Sequence, residues 1–92
     1  MLKVGDILWI FFKTGYSVGE IVELSVVSIG EDPYYFVSTN GIIGDNQKMF
    51  VPTTEDFNTL VEIKHYFVPI YYTTSEREAV KFIESHYNET DN

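Results

Sequence analysis

Asp6-Ile7-Leu8-Trp9-Ile10-Phe11-Phe12 is the stretch on which the fold of this chain turns. Side chains alternate across a strand, so Ile7, Trp9 and Phe11 share one face and Leu8, Ile10 and Phe12 the other. Both faces are apolar. A strand with one face in water would interleave polar residues, so this one is covered on two sides, by a terminal helix, a long loop or a partner. A helix is available: Ser75-Glu76-Arg77-Glu78 forms a capping box, with Glu76 and Glu78 in the positive first turn. Ala79, Phe82, Ile83, His86 and Tyr87 then fall on one helical face, with Arg77, Lys81, Glu84 and Ser85 on the other.

Between these ends the pattern is of strands. The reading is one domain over residues 1–88, with strands at 6–13, 18–29, 34–39, 47–51 and 60–68, a helix at 75–87 and a polar tail at 89–92. The second strand changes phase, since Val22, Leu24 and Val26 share one face and Val27 and Ile29 the other. A bulge near Ser25-Val26 is the expected cause, and such bends let one strand serve two parts of a barrel. Asn40-Gly41 carries the strongest hairpin signal, because both residues tolerate positive φ. Gly44-Asp45-Asn46 is a second turn, Thr53 to Asn58 carries an N-cap pattern, and Pro69 is expected to end or edge the fifth strand. The fold class is therefore α+β: a strongly bent antiparallel sheet or small barrel of about five strands with one C-terminal helix.

Composition narrows the function classes. The 92 residues carry fourteen acids against six bases, a net charge of −8. That balance opposes contact with nucleic-acid phosphates and with anionic membranes. The bases Lys3, Lys13, Lys48, Lys64, Arg77 and Lys81 form no run. There is no cysteine, which removes disulfide and thiol chemistry and is compatible with a reducing compartment. The first residues lack a signal-peptide pattern, and no apolar run approaches the ~20 residues needed to span a bilayer. A cytoplasmic location is expected.

No catalytic constellation is legible. His65 and His86 lie far apart, and neither has a His, Cys or carboxylate at ligand spacing, so no metal is expected. No serine sits in a nucleophile-elbow frame. The reading is of a protein that is not an enzyme and has no cofactor. Seven Tyr, seven Phe and one Trp exceed what one small core readily buries. Tyr34-Tyr35-Phe36, Tyr66-Phe67 and Tyr71-Tyr72 place neighbouring aromatics on opposite strand faces, so one member of each pair is expected outside. There they either line a half-exposed sheet or form a protein interface.

Val4-Gly5-Asp6-Ile7-Leu8-Trp9, followed by Gly15-Tyr16-Ser17-Val18-Gly19-Glu20-Ile21-Val22, resembles the opening hairpin of SH3-like small barrels of the KOW and Tudor type. That resemblance implies a five-stranded barrel that binds protein or nucleic acid through loop and aromatic positions. The chain lacks the basic residues of the nucleic-acid-binding members. Its ending, Tyr71 to Ala79, is similar to the strand-then-capped-helix close of many small bacterial and phage proteins.

The leading expectation is a non-enzymatic protein-binding module, with Trp9, Tyr16, Tyr34, Tyr35, Tyr71 and Tyr72 as contacts. An alternative is a phage-encoded acidic inhibitor that occupies a nucleic-acid-binding site on a host defence enzyme. It would use Glu20, Glu23, Glu31, Asp32, Asp45, Glu55 and Asp56, and it requires these acids on one face. A third reading is self-association through the two-sided first strand or a free sheet edge.

Overall fold

The computed structural model describes residues 1–87, so the expected polar tail at 89–92 lies outside the described residues. The elements in order are β1 (Ile7–Phe11), β2 (Tyr16–Ile29), β3 (Asp32–Ile43), β4 (Gln47–Pro52), β5 (Val61–His65), β6 (Val68–Thr73) and α1 (Glu76–His86). All six strands form one antiparallel sheet in the order β4-β3-β2-β1-β6-β5. The sheet curls into a nearly closed barrel with α1 outside it. The class is α+β as expected, with six strands rather than five.

The sixth strand comes from a turn that the sequence does not advertise. The expected strand at 60–68 is divided at Tyr66 and Phe67, whose φ angles of 50° and 71° turn the chain back on itself. β5 and β6 pair from Val61↔Tyr72 to His65↔Val68. Pro69 does not break the chain here but sits inside β6, opposite Lys64.

Two other boundaries move. Asn40-Gly41 is not a hairpin but part of β3, paired with Glu20 and Gly19. Gly41 is required there by crowding, since a Cβ would collide with the Gly44 carbonyl oxygen. At Gly19 a Cβ would stand 2.7 Å from the Asn40 carbonyl oxygen. The reversal comes instead at Gly44, with φ 83°, before β4. The bulge expected near Ser25-Val26 is absent, since β2 pairs with β3 in unbroken register from Glu23 to Ile29. The irregularities lie earlier, between Val18 and Gly19 and between Ile21 and Glu23, where β2 runs past its last β1 partner at Glu20.

The barrel interior holds Leu8, Ile10, Ile21, Tyr35, Val37, Val51, Phe57, Val61 and Tyr72 with Leu2. Phe57 comes from the β4–β5 connection, and its backbone pins that loop to the end of β6. Its carbonyl accepts from the Thr74 backbone N–H at 2.7 Å and from the Thr73 and Thr74 hydroxyls at 3.2 and 3.0 Å. The second face of β1 is covered by α1 at Phe11 and partly at Trp9, whereas Ile7 at its start stays exposed. Phe11 is fully buried against Phe82 at 4.5 Å between ring centres, with Ala79 beside them. Ser75 caps the helix by accepting from the Glu78 N–H at 3.3 Å. At the other end the Tyr87 hydroxyl donates to the carbonyls of Phe12 and Gly15, each at 3.2 Å.

Candidate functional site

The turn between β5 and β6 is the most exposed aromatic feature of the fold. A two-residue hairpin whose central residues both have positive φ favours Asn-Gly, because a side chain with a Cβ is strained in that region. Here the residues are Tyr66 and Phe67, 95% and 99% exposed. Neither their burial nor local turn chemistry accounts for them.

A groove lies on each side of this hairpin. The larger, of about 520 Å³, has a floor of Ile10, Phe12, Ile70 and Tyr72. Its walls are Gln47 to Phe50 on β4 and Lys64, His65 and Tyr66 on the hairpin. It is the unclosed seam of the barrel, since β4 and β5 are the two edges of the sheet. The smaller, of about 260 Å³, runs between β6 and α1 and includes Lys13, Val68, Pro69, Phe82 and His86. Phe12 belongs to both grooves.

Neither groove contains an acid, although acids outnumber bases fourteen to six in the chain. Three of the six bases, Lys13, Lys48 and Lys64, line them, together with both histidines. Among the described residues the sole ion pair is Lys81 with Glu78 at 3.7 Å. Lys48 and Lys64 thus make no direct ion pair among the described residues and line a groove without an acid of its own.

His65 sits in the groove wall 3.0 Å from the Tyr72 hydroxyl. Burial pushes the Tyr72 hydroxyl well above its ordinary range and lowers His65 below its usual 6.5. Both directions favour neutral forms, so the two share one neutral hydrogen bond, in which the Tyr72 O–H donates to Nε2 in one imidazole tautomer and Nε2–H donates to the Tyr72 oxygen in the other. The unfolded chain binds a proton at His65 more tightly than the fold does. Its contribution to stability is thus full above about pH 6.5 and is lost as pH falls through the lower folded value. Melting curves between about pH 7.5 and pH 5 are expected to show this decline, and His65→Gln to reduce it. Equal pH dependence in the two proteins would remove His65 as its source.

The aromatic residues named from sequence divide into three groups. Tyr35 and Tyr72 are interior, Tyr72 only 1% exposed, so their rings serve the core, and Tyr72 reaches the surface only as part of the floor of the larger groove. Trp9, Tyr16 and Tyr71 are half-buried around the Phe11–Phe82 contact under α1. Trp9 stacks on Tyr16 with ring centres 6.3 Å apart, and Tyr71 meets Phe82 at 5.0 Å. Tyr34 stands apart on β3, in register with Val27 and Pro52, next to the Phe36–Phe50 pair. The in-and-out alternation holds for Tyr34-Tyr35 and Tyr71-Tyr72 and fails at Tyr66-Phe67, where both rings point out because they form the turn.

The seven acids are all exposed and are spread along the fold rather than gathered at one place. Glu31 and Asp32 lie at the β2–β3 turn and Asp45 at the β3–β4 turn, with the whole of β3 between them. Twelve strand residues span about 40 Å, most of the molecule's 47 Å length. Among the described residues, no group of three or more His, Cys, Asp or Glu is placed to hold a metal ion. Among them also, no helix is long and apolar enough to cross a membrane. No family model, curated protein or solved structure matches this chain.

Proposed function

We propose that this chain is a non-enzymatic protein-binding module on an SH3-like barrel, docking its partner through Tyr66-Phe67 and the grooves beside them. The observation that carries the reading is the placement of two adjacent aromatics in positive φ, almost wholly exposed, where Asn-Gly would be unstrained. Strain of order 1–3 kcal/mol per residue is characteristic of sites held for use rather than for stability. Tyr and Phe on a rigid hairpin are efficient anchors, because they bring a large contact area with few rotamers to freeze. Partly exposed Phe50 and the apolar groove floors extend the surface on which a partner would close.

The test is capture of binding proteins from lysate by the parent chain and by Phe67→Asp. The Phe67 ring is 99% exposed, so the substitution leaves the core alone, and a melting temperature at or above the parent's confirms the fold, since Asp tolerates positive φ better than Phe. Loss of a central aromatic anchor costs about 2 kcal/mol or more, roughly 30-fold in affinity. A partner held equally by both proteins would refute the assignment of the hairpin tip.

A further inference from the structure

The two sheet edges face the same groove. β4 pairs only with β3 and β5 only with β6, so alternate backbone N–H and C=O groups of each point away from its one neighbour. No hydrogen bond of the described residues reaches outward from the backbone of 48–50 or 62–64. The lining of the groove shows which way these edges point. A groove against one face of a strand is lined by every second residue. This one is lined by four consecutive residues of β4, Gln47-Lys48-Met49-Phe50, and by three of the hairpin, Lys64-His65-Tyr66. The strand edges themselves form the walls.

We propose that the open seam takes an extended acidic peptide as an added strand, hydrogen-bonded to the free edge of β4, with the β5–β6 hairpin as the opposite wall. This rests on the protein-binding reading above and names the chemistry of the partner segment. Strand addition supplies affinity through main-chain hydrogen bonds and specificity through alternate side chains. The inward side chains of the peptide meet the apolar floor of Ile10, Phe12 and Ile70 beside Met49. The outward ones run between Lys48 and Lys64, the only full charges in the lining. Glu62, the outward residue before Lys64 on β5, pairs with Tyr71 toward the closed end of the seam and is not part of the groove. The complementary segment therefore alternates apolar residues with Asp or Glu, over about four residues or ~13 Å. A nucleic-acid strand is the poorer occupant, because its phosphates meet a net charge of −8 along their whole length.

The experiment is selection of a displayed random decapeptide library on the whole chain, with each selected peptide then measured by fluorescence anisotropy. Expected are sequences alternating apolar residues with Asp or Glu. Methylating backbone nitrogens at alternate positions is expected to weaken binding about tenfold, the effect of one lost hydrogen bond with its partner left unsatisfied. Lys48→Glu combined with Lys64→Glu is expected to do at least as much, in a protein whose melting curve matches the parent. Selected peptides indifferent to methylation or to both charge reversals would overturn the seam proposal, as would an empty selection or tight binding of a ten-nucleotide thymidine strand. Peptides that instead depend on Tyr66 and Phe67 alone would overturn the seam and leave the protein-binding reading standing. Failure of peptide selection together with unchanged capture by Phe67→Asp would end both.

Discussion

Phe11→Ala is expected to remove about 3–5 kcal/mol of folding free energy, the usual effect of deleting a fully buried Phe. For a domain of this size, whose whole stability is of order 5–15 kcal/mol, that loss leaves little margin. The manner of failure is as informative as its size. Phe11 is the contact shared by the sheet and α1, touching Phe82 at 4.5 Å, Tyr16 at 5.6 Å and Tyr87 at 6.5 Å between ring centres. Trp9 lies next to it in the same strand and stacks on Tyr16. In urea, helical circular dichroism is expected to be lost at lower denaturant than the barrel signal in this variant. Leu8→Ala, which opens a cavity inside the barrel instead, is expected to lose both signals together. Coincident transitions in Phe11→Ala would mean that α1 and the barrel form a single cooperative unit.

The second large effect has opposite signs in two measurements. Replacing Tyr66→Asn together with Phe67→Gly puts the favoured residues into a turn whose φ angles are 50° and 71°. Release of left-handed strain by about 1–3 kcal/mol raises the melting temperature, by roughly 4–8 °C for each kcal/mol in a domain of this length. Partner binding is expected to disappear in the same protein. A stability gain with a binding loss identifies the pair as retained for recognition at the expense of the fold. A fall in melting temperature would instead assign the aromatics a structural role.

The sequence discloses this fold where two levels of pattern agree. At α1 the capping box and the apolar stripe coincide, and the helix begins where Ser75 predicts it. At β1 the two apolar faces demanded two covers, and the barrel interior supplies one for Leu8 and Ile10 while α1 supplies the other for Phe11, leaving Ile7 exposed. The misreadings have one physical origin. Turn chemistry is not sufficient at Asn40-Gly41, where glycine answers to crowding by Gly44 instead. It is not necessary at Tyr66-Phe67, where the chain reverses without it. The hairpin tip was therefore hidden inside an apparently continuous strand. The one local hint was Pro69, which fits poorly at the end of a long central strand and well in a short β6 behind a turn. The grooves were not legible at all, because they depend on which edges the curled sheet leaves facing each other. The same holds for the gathering of Lys48 and Lys64, sixteen positions apart in sequence and brought together only by that curl.

The strand order also governs how the molecule comes into being. β1 lies at the centre of the sheet, and its second neighbour is β6, with Trp9 opposite Thr73 and Phe11 opposite Tyr71. During synthesis β1 can pair with β2 almost at once, but its other edge must wait for some sixty further residues. At 5–20 residues per second that wait is roughly 3–12 s. The outer face of Phe11 waits longer still, until α1 has been made. The most apolar segment of the chain is thus the one left incomplete for longest on the ribosome, and there a holding chaperone would find its target.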